Sequence, residues 1–437
     1  MEDGPLRIGV LSFHESKEAK AILNAIEALG HEAVWLREHN MLLQFENGAF
    51  VLEPDVDVVI NRLLLSTTEQ PVEAVGFAHA LARFRPIVND PDAAAHASHK
   101  IAAAAAMVAE GVPIPKTALP FGMHTLGGVR DKFGDQHVYK TTVGTHGGGA
   151  WKVHRDDLIT GTVGTRRAFL QEFIPPTTNG ARDLRVYVVD GAVIGAMYRY
   201  AAEGDWRTNV ARGGSVQDAT DRLPDDVEEI ATRATNAVGL DCAGVDLIER
   251  DGEWLVLEVN PTAGFRGLFR ATGCSPAPHI AALAIERAGG TVSGREIQSL
   301  ESALDDTPPS CMPESTQLIE PESPVIGIAE RVVVSGTTDT KAVIGRADPG
   351  SSRSRIDLQL AAAIGAGPIK AGDVRGDGHR QPRVDVVIGI AGIERTVNAV
   401  VEDRPSATHP LLLGRDVLGG FQIDVSRRQP TQDSSSG

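Results

Sequence analysis

The sequence predicts an α/β N-terminal region, an α+β middle region and a small all-β C-terminal domain within 437 residues. Three observations carry this. Strand and helix patterns alternate through the first ninety or so residues, and such βαβ order implies a mostly parallel sheet. Residues 136–259 are dense in strand patterns broken by one amphipathic helix. Thr291 to Pro324 then loses periodicity and gathers prolines 308, 309, 313, 321 and 324, after which short apolar strands alternate with Gly, Asp and Pro turns. The divisions are 1–92, 93–290, a linker at 291–324, a β domain at 325–428 and a disordered tail at 429–437.

Each element has a local reason. Leu6 to Phe13 is an apolar strand, and the helical spacing from Glu15 to Leu29 stops at Gly30. His31–Leu36 and Val56–Ile60 read as further strands. One helix is expected from Asp92 to Glu110, ended by Gly111 ahead of Pro113 and Pro115. Strands follow at Gln136–Thr142, Ala150–His154, Ala168–Ile174, Leu184–Val189, Ala192–Tyr200 and Gly244–Val259. Helices Asp225–Val238 and Ala277–Ala288 complete the block.

Charge limits the partners. Forty-two Lys and Arg against 58 Asp and Glu give −16, which argues against general nucleic-acid binding. No run of eighteen apolar residues suggests a spanning helix, and MEDGPLRIGV lacks the basic and apolar regions of a secretory signal. Three scattered cysteines, Cys242, Cys274 and Cys311, are too few for a disulfide framework or a Cys-based zinc site. The expectation is a cytoplasmic protein with reduced thiols and no membrane partner.

Asp246, Glu258 and Asn260 are the first candidates for chemistry. Strands on either side of Asp251-Gly252 form a hairpin, and Glu258 and Asn260, two apart, share one face. A two-residue turn pairs 246 with 257 and sends Asp246 to the other face; a three-residue turn pairs it with Glu258. Only the second register makes two carboxylates and an amide a hard-ligand set for Mg²⁺ or Mn²⁺; otherwise they lie along a solvent-facing hairpin.

Lys140 ends a strand and precedes a loop with Gly144, Gly147, Gly148 and Gly149. Its glycines let backbone N–H groups approach an anion, and the lysine adds a point charge, although a plain hairpin turn reads the same way. No GxxxxGK[ST] motif occurs. Lys100 stands at the head of an alanine-rich helix. Glu172, Phe173 and Ile174 follow a strand as a hinge whose backbone could read a flat base edge. Asp183, Arg185, Arg199, Arg207 and Asn209 are polar groups spaced along strands.

In that order, these residues resemble the ATP-grasp superfamily and, within it, the RimK-type glutamate ligases, over roughly residues 5–290. The resemblance implies a pre-ATP-grasp domain at 1–92 and an ATP-grasp domain at 93–290. It implies ATP bound by Lys100, Lys140, Gly144, Gly147, Gly148, Gly149, Glu172, Phe173, Ile174, Asp183 and Arg207, with Arg199 and Asn209 catalytic. Asp246, Glu258 and Asn260 match the family's metal ligands, implying two Mg²⁺ or Mn²⁺ ions. The implied reaction is phosphoryl transfer to a carboxylate, giving an acyl phosphate that an amine attacks. Glutamate, an amine or carboxylate acceptor and a homo-oligomer are the implied partners. The loop Pro261 to Leu268 departs from the shorter one of the ribosomal-protein enzymes, and Arg62 and Arg266 are candidate substrate contacts.

Residues 325–426 resemble a retropepsin-like domain, from Asp348-Pro349-Gly350 after a strand and Leu411 to Asp416 beyond it. That resemblance implies an aspartic peptidase acting through Asp348 in a homodimer. Pro349 replaces the hydroxyl residue of the family turn and removes its N–H, so a degenerate fold kept for docking is the opposing reading. A nucleotide-responsive binding protein without turnover is the third function class.

Overall fold

The computed structural model describes residues 4–14, 16–66, 68, 70–144, 149–163, 166–176, 180–202, 205–208, 214–312, 324–336, 339–366, 370–374, 380–404 and 408–427. The chain divides into two units. The first is Met1–Ala118, Gln136–Val153 and Leu170–Glu314; the second is Leu119–Asp135, His154–Phe169 and Ser315–Gly437.

The first unit opens with β1 (Arg7–Leu11), α1 (Lys17–Ala28), β2 (Glu32–Leu36), β3 (Leu42–Glu46), β4 (Ala49–Glu53), β5 (Val58–Asn61), α2 (Pro71–Ala82) and β6 (Ile87–Val88). Strands β2-β1-β5-β6 form a parallel sheet, as the alternating pattern predicts. Ser16 caps α1 by accepting from Ala19 N at 3.0 Å, and Ile22, Leu23 and Ile26 pack with Trp35 in the core. The β3–β4 hairpin was not anticipated, because its strands are mostly exposed and lack a clean core-facing alternation.

The single helix expected over 92–110 is two, α3 (Pro91–Ser98) and α4 (Lys100–Ala109). His99 breaks it with extended backbone, φ −102° and ψ 100°, and its ring accepts from Ala102 N. Lys100 thereby becomes the first residue of α4, and its backbone N–H donates to Thr142 O at 2.8 Å.

Then come β7 (Thr117–Ala118), α5 (Met123–Arg130), β8 (Gln136–Thr141), β9 (Ala150–His154), β10 (Thr162–Val163) and β11 (Arg166–Glu172). Beyond them lie β12 (Arg182–Val189), β13 (Ala192–Tyr200), β14 (Ser215–Asp218), α6 (Asp225–Val238), β15 (Cys242–Arg250) and β16 (Glu253–Asn260). Strands β14-β13-β12-β15-β16 make an antiparallel sheet. Leu184, Val186 and Val188 turn one face of β12 towards α6, so Asp183 and Arg185 point to the other. Helices α7 (Arg266–Thr272), α8 (Ala277–Arg287) and α9 (Gly294–Glu301) follow.

Helix α9 corrects the expectation of a featureless linker from 291. Ser293 accepts from Glu296 N while the Glu296 carboxylate accepts from Ser293 N, a capping box written in the sequence as S-x-x-E.

In the second unit, β10 pairs with the start of β11, Thr162 opposite Arg167. Its C-terminal part holds β17 (Val325–Gly327), β18 (Ala329–Ser335), β19 (Thr340–Ala347), β20 (Arg355–Asp357), α10 (Leu358–Ala363) and β21 (Lys370–Val374). It continues with β22 (Arg380–Ile390), β23 (Ile393–Glu402), β24 (Leu411–Leu413), α11 (Arg415–Leu418) and β25 (Gln422–Asp424). The sheet runs β18-β19-β24-β20-β23-β22-β21, and β18 also pairs with β22, which closes it on itself. Val332, Val334, Ile356, Val386, Ile388 and Leu411 fill this part's own core. No described helix of the chain is long and apolar enough to cross a membrane.

Candidate active site

The acidic hairpin settles its register in a way the turn alone does not predict. Asp251 and Gly252 form a two-residue turn, with φ 53° and 87°, and Arg250 pairs with Glu253. By parity that turn would separate Asp246 from Glu258. A β-bulge intervenes: Leu247 pairs with Val256, Asp246 pairs with Glu258, and Leu257 is the extra residue. The expectation that only an odd-length turn brings the acids together is therefore wrong, because one inserted residue restores the phase. Asn260 Nδ2 lies 3.5 Å from Asp246 Oδ2 and 3.4 Å from Glu258 Oε1.

Neighbouring strands bring cations to these acids. Arg185 on β12 is opposite Asp246 and grips it through two bonds of 2.5 and 2.7 Å. Arg199 on β13 is opposite Asp183, binds it through both Nε and an Nη at 2.7 and 2.5 Å, and reaches Asp246 Oδ2 at 2.9 Å. Thr208 Oγ1 donates to Asp183 at 2.5 Å. From α4, Lys100 Nζ contacts Glu258 at 2.7 Å and Gly144 O at 3.3 Å. Lys140, at the end of β8, donates to Gln171 Oε1 at 2.6 Å.

Burial decides the electrostatics. It pulls the Lys140 ammonium down to about 8, against the opposing pull of Glu258 and Asp246. Burial raises Glu258, but Lys100, with Lys140 and Arg185 behind it, outweighs burial and holds the carboxyl well below the usual range. At Asp183 burial wins over Arg199 and the carboxyl is raised. Burial opposes the charge on Arg185, yet Asp246 keeps that guanidinium firmly protonated.

Lys100, Lys140, Asp183, Arg199, Asp246 and Glu258 line one cavity of the first unit, whose apolar wall includes Val138, Phe173, Ile248 and Leu257. Phe173 meets Trp206 edge-on at 6.0 Å between centroids, and Lys152 Nζ lies 5.0 Å from the centre of its ring. Glu172 uses its backbone N–H on Lys116 O and its carboxylate on Arg250, at 2.9 and 3.1 Å. Ile174, Gly144, Gly149 and Arg207 also line the cavity; Arg207 is held by Asp205 at 3.1 Å. Gly147, Gly148 and Asn209 lie outside the described residues.

The donor set fits a hard divalent cation. Two carboxylates converge, with Asp246 only 3% exposed and the Asn260 amide turned to them through Nδ2; with its Oδ1 presented instead, the set supplies the oxygen ligands that suit Mg²⁺ or Mn²⁺. In this structure Lys100, Arg185 and Arg199 neutralise the same oxygens.

The other candidates lie elsewhere. Arg62 is buried, and its guanidinium donates to Thr262 O and Ala263 O at 3.5 and 3.4 Å, so it braces the loop after Asn260 instead of facing solvent. Arg266 is half-exposed beside Asp306 at 3.6 Å. Asp348 belongs to the second unit, where its N–H donates to Leu413 O at 2.8 Å. Leu257 was not singled out from sequence, whereas Gln171 and Thr208 stand within the runs 171–175 and 207–209 that sequence marks, without a role of their own.

The fold is that of the ATP-grasp enzymes. ATP-grasp ligase PsnB, solved with a phosphomimetic variant of its minimal precursor, Mg and ADP, matches with a TM-score of 0.52 at 19% identity, covering 64% of this chain and 98% of that one. Residues 97–283 match the RimK-like ATP-grasp domain. The tetrahydromethanopterin:alpha-L-glutamate ligase of Methanocaldococcus jannaschii is 34% identical over 200 residues, 44% of this chain and 67% of the relative. A probable alpha-L-glutamate ligase of Mannheimia succiniciproducens is 32% identical over 252 residues, 56% and 82%. The chain belongs to the RimK-like ATP-grasp family and is an ATP-dependent ligase.

Proposed function

We propose that the protein joins L-glutamate to a carboxylate-bearing protein, peptide or cofactor acceptor, converting ATP to ADP and phosphate through an acyl phosphate. The observation that carries this is the meeting of Lys100, Lys140 and Arg199 with Asp183, Asp246 and Glu258 along one cavity, where Arg185 grips Asp246. The relatives whose names specify alpha-L-glutamate ligase support the choice of amino acid.

An acceptor carboxylate oxygen attacks the γ-phosphorus, the bond to the β-phosphate oxygen breaks, and ADP leaves. The glutamate amine then attacks the acyl carbon, forms the amide, loses a proton and expels phosphate. Such transfer needs alignment and charge neutralisation rather than a protein nucleophile. Lys100 and Lys140 hold the phosphates, and Arg199 steadies charge on the transferring group. Phe173, Ile174 and the backbone at Glu172 receive the adenine, and Gly144 and Gly149 flank the phosphates and help keep water away. Asp246, Glu258 and Asn260 would hold two Mg²⁺ or Mn²⁺ ions, which supply Lewis-acid neutralisation of the phosphate oxygens.

For the C-terminal part we infer a retropepsin-like fold without peptidase activity. Parallel pairing of β19 with β24, Ala347 opposite Leu413, supports the fold, and Pro349 in place of a hydroxyl residue supports inactivity. No cleavage of denatured substrate proteins at acid or neutral pH is expected; cleavage that an Asp348→Asn variant abolishes would overturn it.

The ligase reading is tested by phosphate release from Mg²⁺-ATP across single amino acids, with and without cell extract. Release that requires glutamate and extract, and vanishes in Asp246→Asn and Glu258→Gln, is expected. Equal release with every amino acid, or none in any mixture, would defeat it.

A further inference from the structure

A second cluster of ligand-type side chains lies apart from the acidic hairpin, where three helix ends meet. Cys274 follows α7, His279 sits in the first turn of α8, and Glu301 ends α9. Their ligand atoms all lie within 4.8 Å of one another, and His279 Nε2 is 2.9 Å from Glu301 Oε2. A tetrahedral zinc ion with bonds of about 2.0–2.3 Å separates its ligand atoms by roughly 3.3–3.8 Å, so small side-chain shifts close the site. The backbone already holds these ends together: Ser275 N donates to Glu301 O at 2.7 Å, and Cys274 N to Thr272 Oγ1 at 3.0 Å.

We propose that Cys274, His279 and Glu301 bind one divalent transition-metal ion of the zinc class, pinning α7, α8 and α9 together. Thiolate, imidazole and carboxylate are the three donor types such an ion selects, and a mixed set of this kind is wrong for Mg²⁺. All three side chains are partly exposed, which leaves an entry path and a fourth position for water. The ion also has something to fix. Helix α7 begins at Arg266, six residues after Asn260, so the pin anchors the far end of the segment that leaves the acidic hairpin. Among the described residues His279 and Glu301 satisfy each other, and the Cys274 thiol donates to Ile194 O at 3.9 Å.

The test uses full-length protein stripped of metal and titrated with Co²⁺ in excess Mg²⁺, which masks all-oxygen sites. The expected result is a thiolate-to-cobalt charge-transfer band saturating at one Co²⁺ per chain and displaced by equimolar Zn²⁺. The band disappears in Cys274→Ser, weakens with at least tenfold lower affinity in His279→Ala, and persists in Glu258→Gln. No band in the wild type, a band that survives Cys274→Ser, unchanged affinity in His279→Ala, or loss of the band in Glu258→Gln would each overturn the proposal. Should the cysteine variant fail to fold, alkylation of the wild type decides. Zn²⁺ must slow iodoacetamide modification of Cys274 but not of Cys311, and equal slowing or none refutes the site.

Discussion

Replacing Arg199 with Met keeps an unbranched chain but removes the guanidinium that neutralises two acids. Arg199 meets Asp183 at 2.5 and 2.7 Å and Asp246 at 2.9 Å. Asp246 keeps Arg185, whereas Asp183, 5% exposed, keeps among the described residues the Thr208 hydroxyl alone. Breaking a buried pair by removing one member costs about 3–5 kcal/mol. Protonation sets a ceiling, since neutralising a carboxyl of ordinary pKa ~3.9 costs about 1.4 kcal/mol per pH unit above it, or about 4 kcal/mol at pH 7. The same ceiling is about 1.5 kcal/mol at pH 5. Burial already raises Asp183, and without Arg199 it rises further. The folded variant therefore binds a proton that the unfolded chain does not, and gains stability relative to wild type as pH falls. All four tryptophans, 35, 151, 206 and 254, lie in the first unit, so intrinsic fluorescence during urea unfolding reads that unit alone. The variant should be about 3–4 kcal/mol less stable than wild type at pH 7 and about 1–2 kcal/mol less at pH 5. A loss under about 1 kcal/mol at pH 7, or one that does not shrink at pH 5, would refute the reasoning.

Other outcomes follow from the same geometry. ATP affinity should fall as pH rises through about 8, where free Lys140 loses its proton, and Lys140→Arg should flatten that fall in a binding titration. Glu258→Gln should lower Mg²⁺-dependent phosphate release by about 100-fold or more, because Lewis-acid neutralisation supplies several kcal/mol; a Mg²⁺ titration of both proteins measures it. A Cβ on Gly244 would lie 2.5 Å from Ala263 Cβ, so Gly244→Ala should cost about 1–3 kcal/mol in urea unfolding. Adding Ala263→Gly should recover most of that loss.

Much of this site was legible because its chemistry follows strand periodicity. Asp183, Arg185, Asp246, Glu258 and Asn260 fall on one face of regular strands, and the spacing of two announces it. What stayed hidden depends on departures from regularity. Nothing around Leu257 marks a bulge, since no glycine stands there, so parity from the turn left the register open and tied the meeting of the acids to an odd-length turn that does not occur. The break at His99 was masked by good helix formers on both sides, although it is what heads α4 with Lys100. Arg62 could not be recognised as buried until the loop at 262–263 folded over it. Cys274, His279 and Glu301 stand five and twenty-two residues apart, a spacing with no motif, and only the packing of three helices unites them.

The extra residue at Leu257 has a practical consequence. It sets the facing of Glu258 five residues from the hairpin tip, and Asp251, Gly252 and Glu253 at that tip are exposed. Tip length and ligand geometry are therefore uncoupled. An affinity tag or fluorophore-bearing peptide grafted between Asp251 and Gly252 should leave the acids in phase, which makes this β-hairpin a natural attachment point for reporting on nucleotide occupancy from outside the cavity.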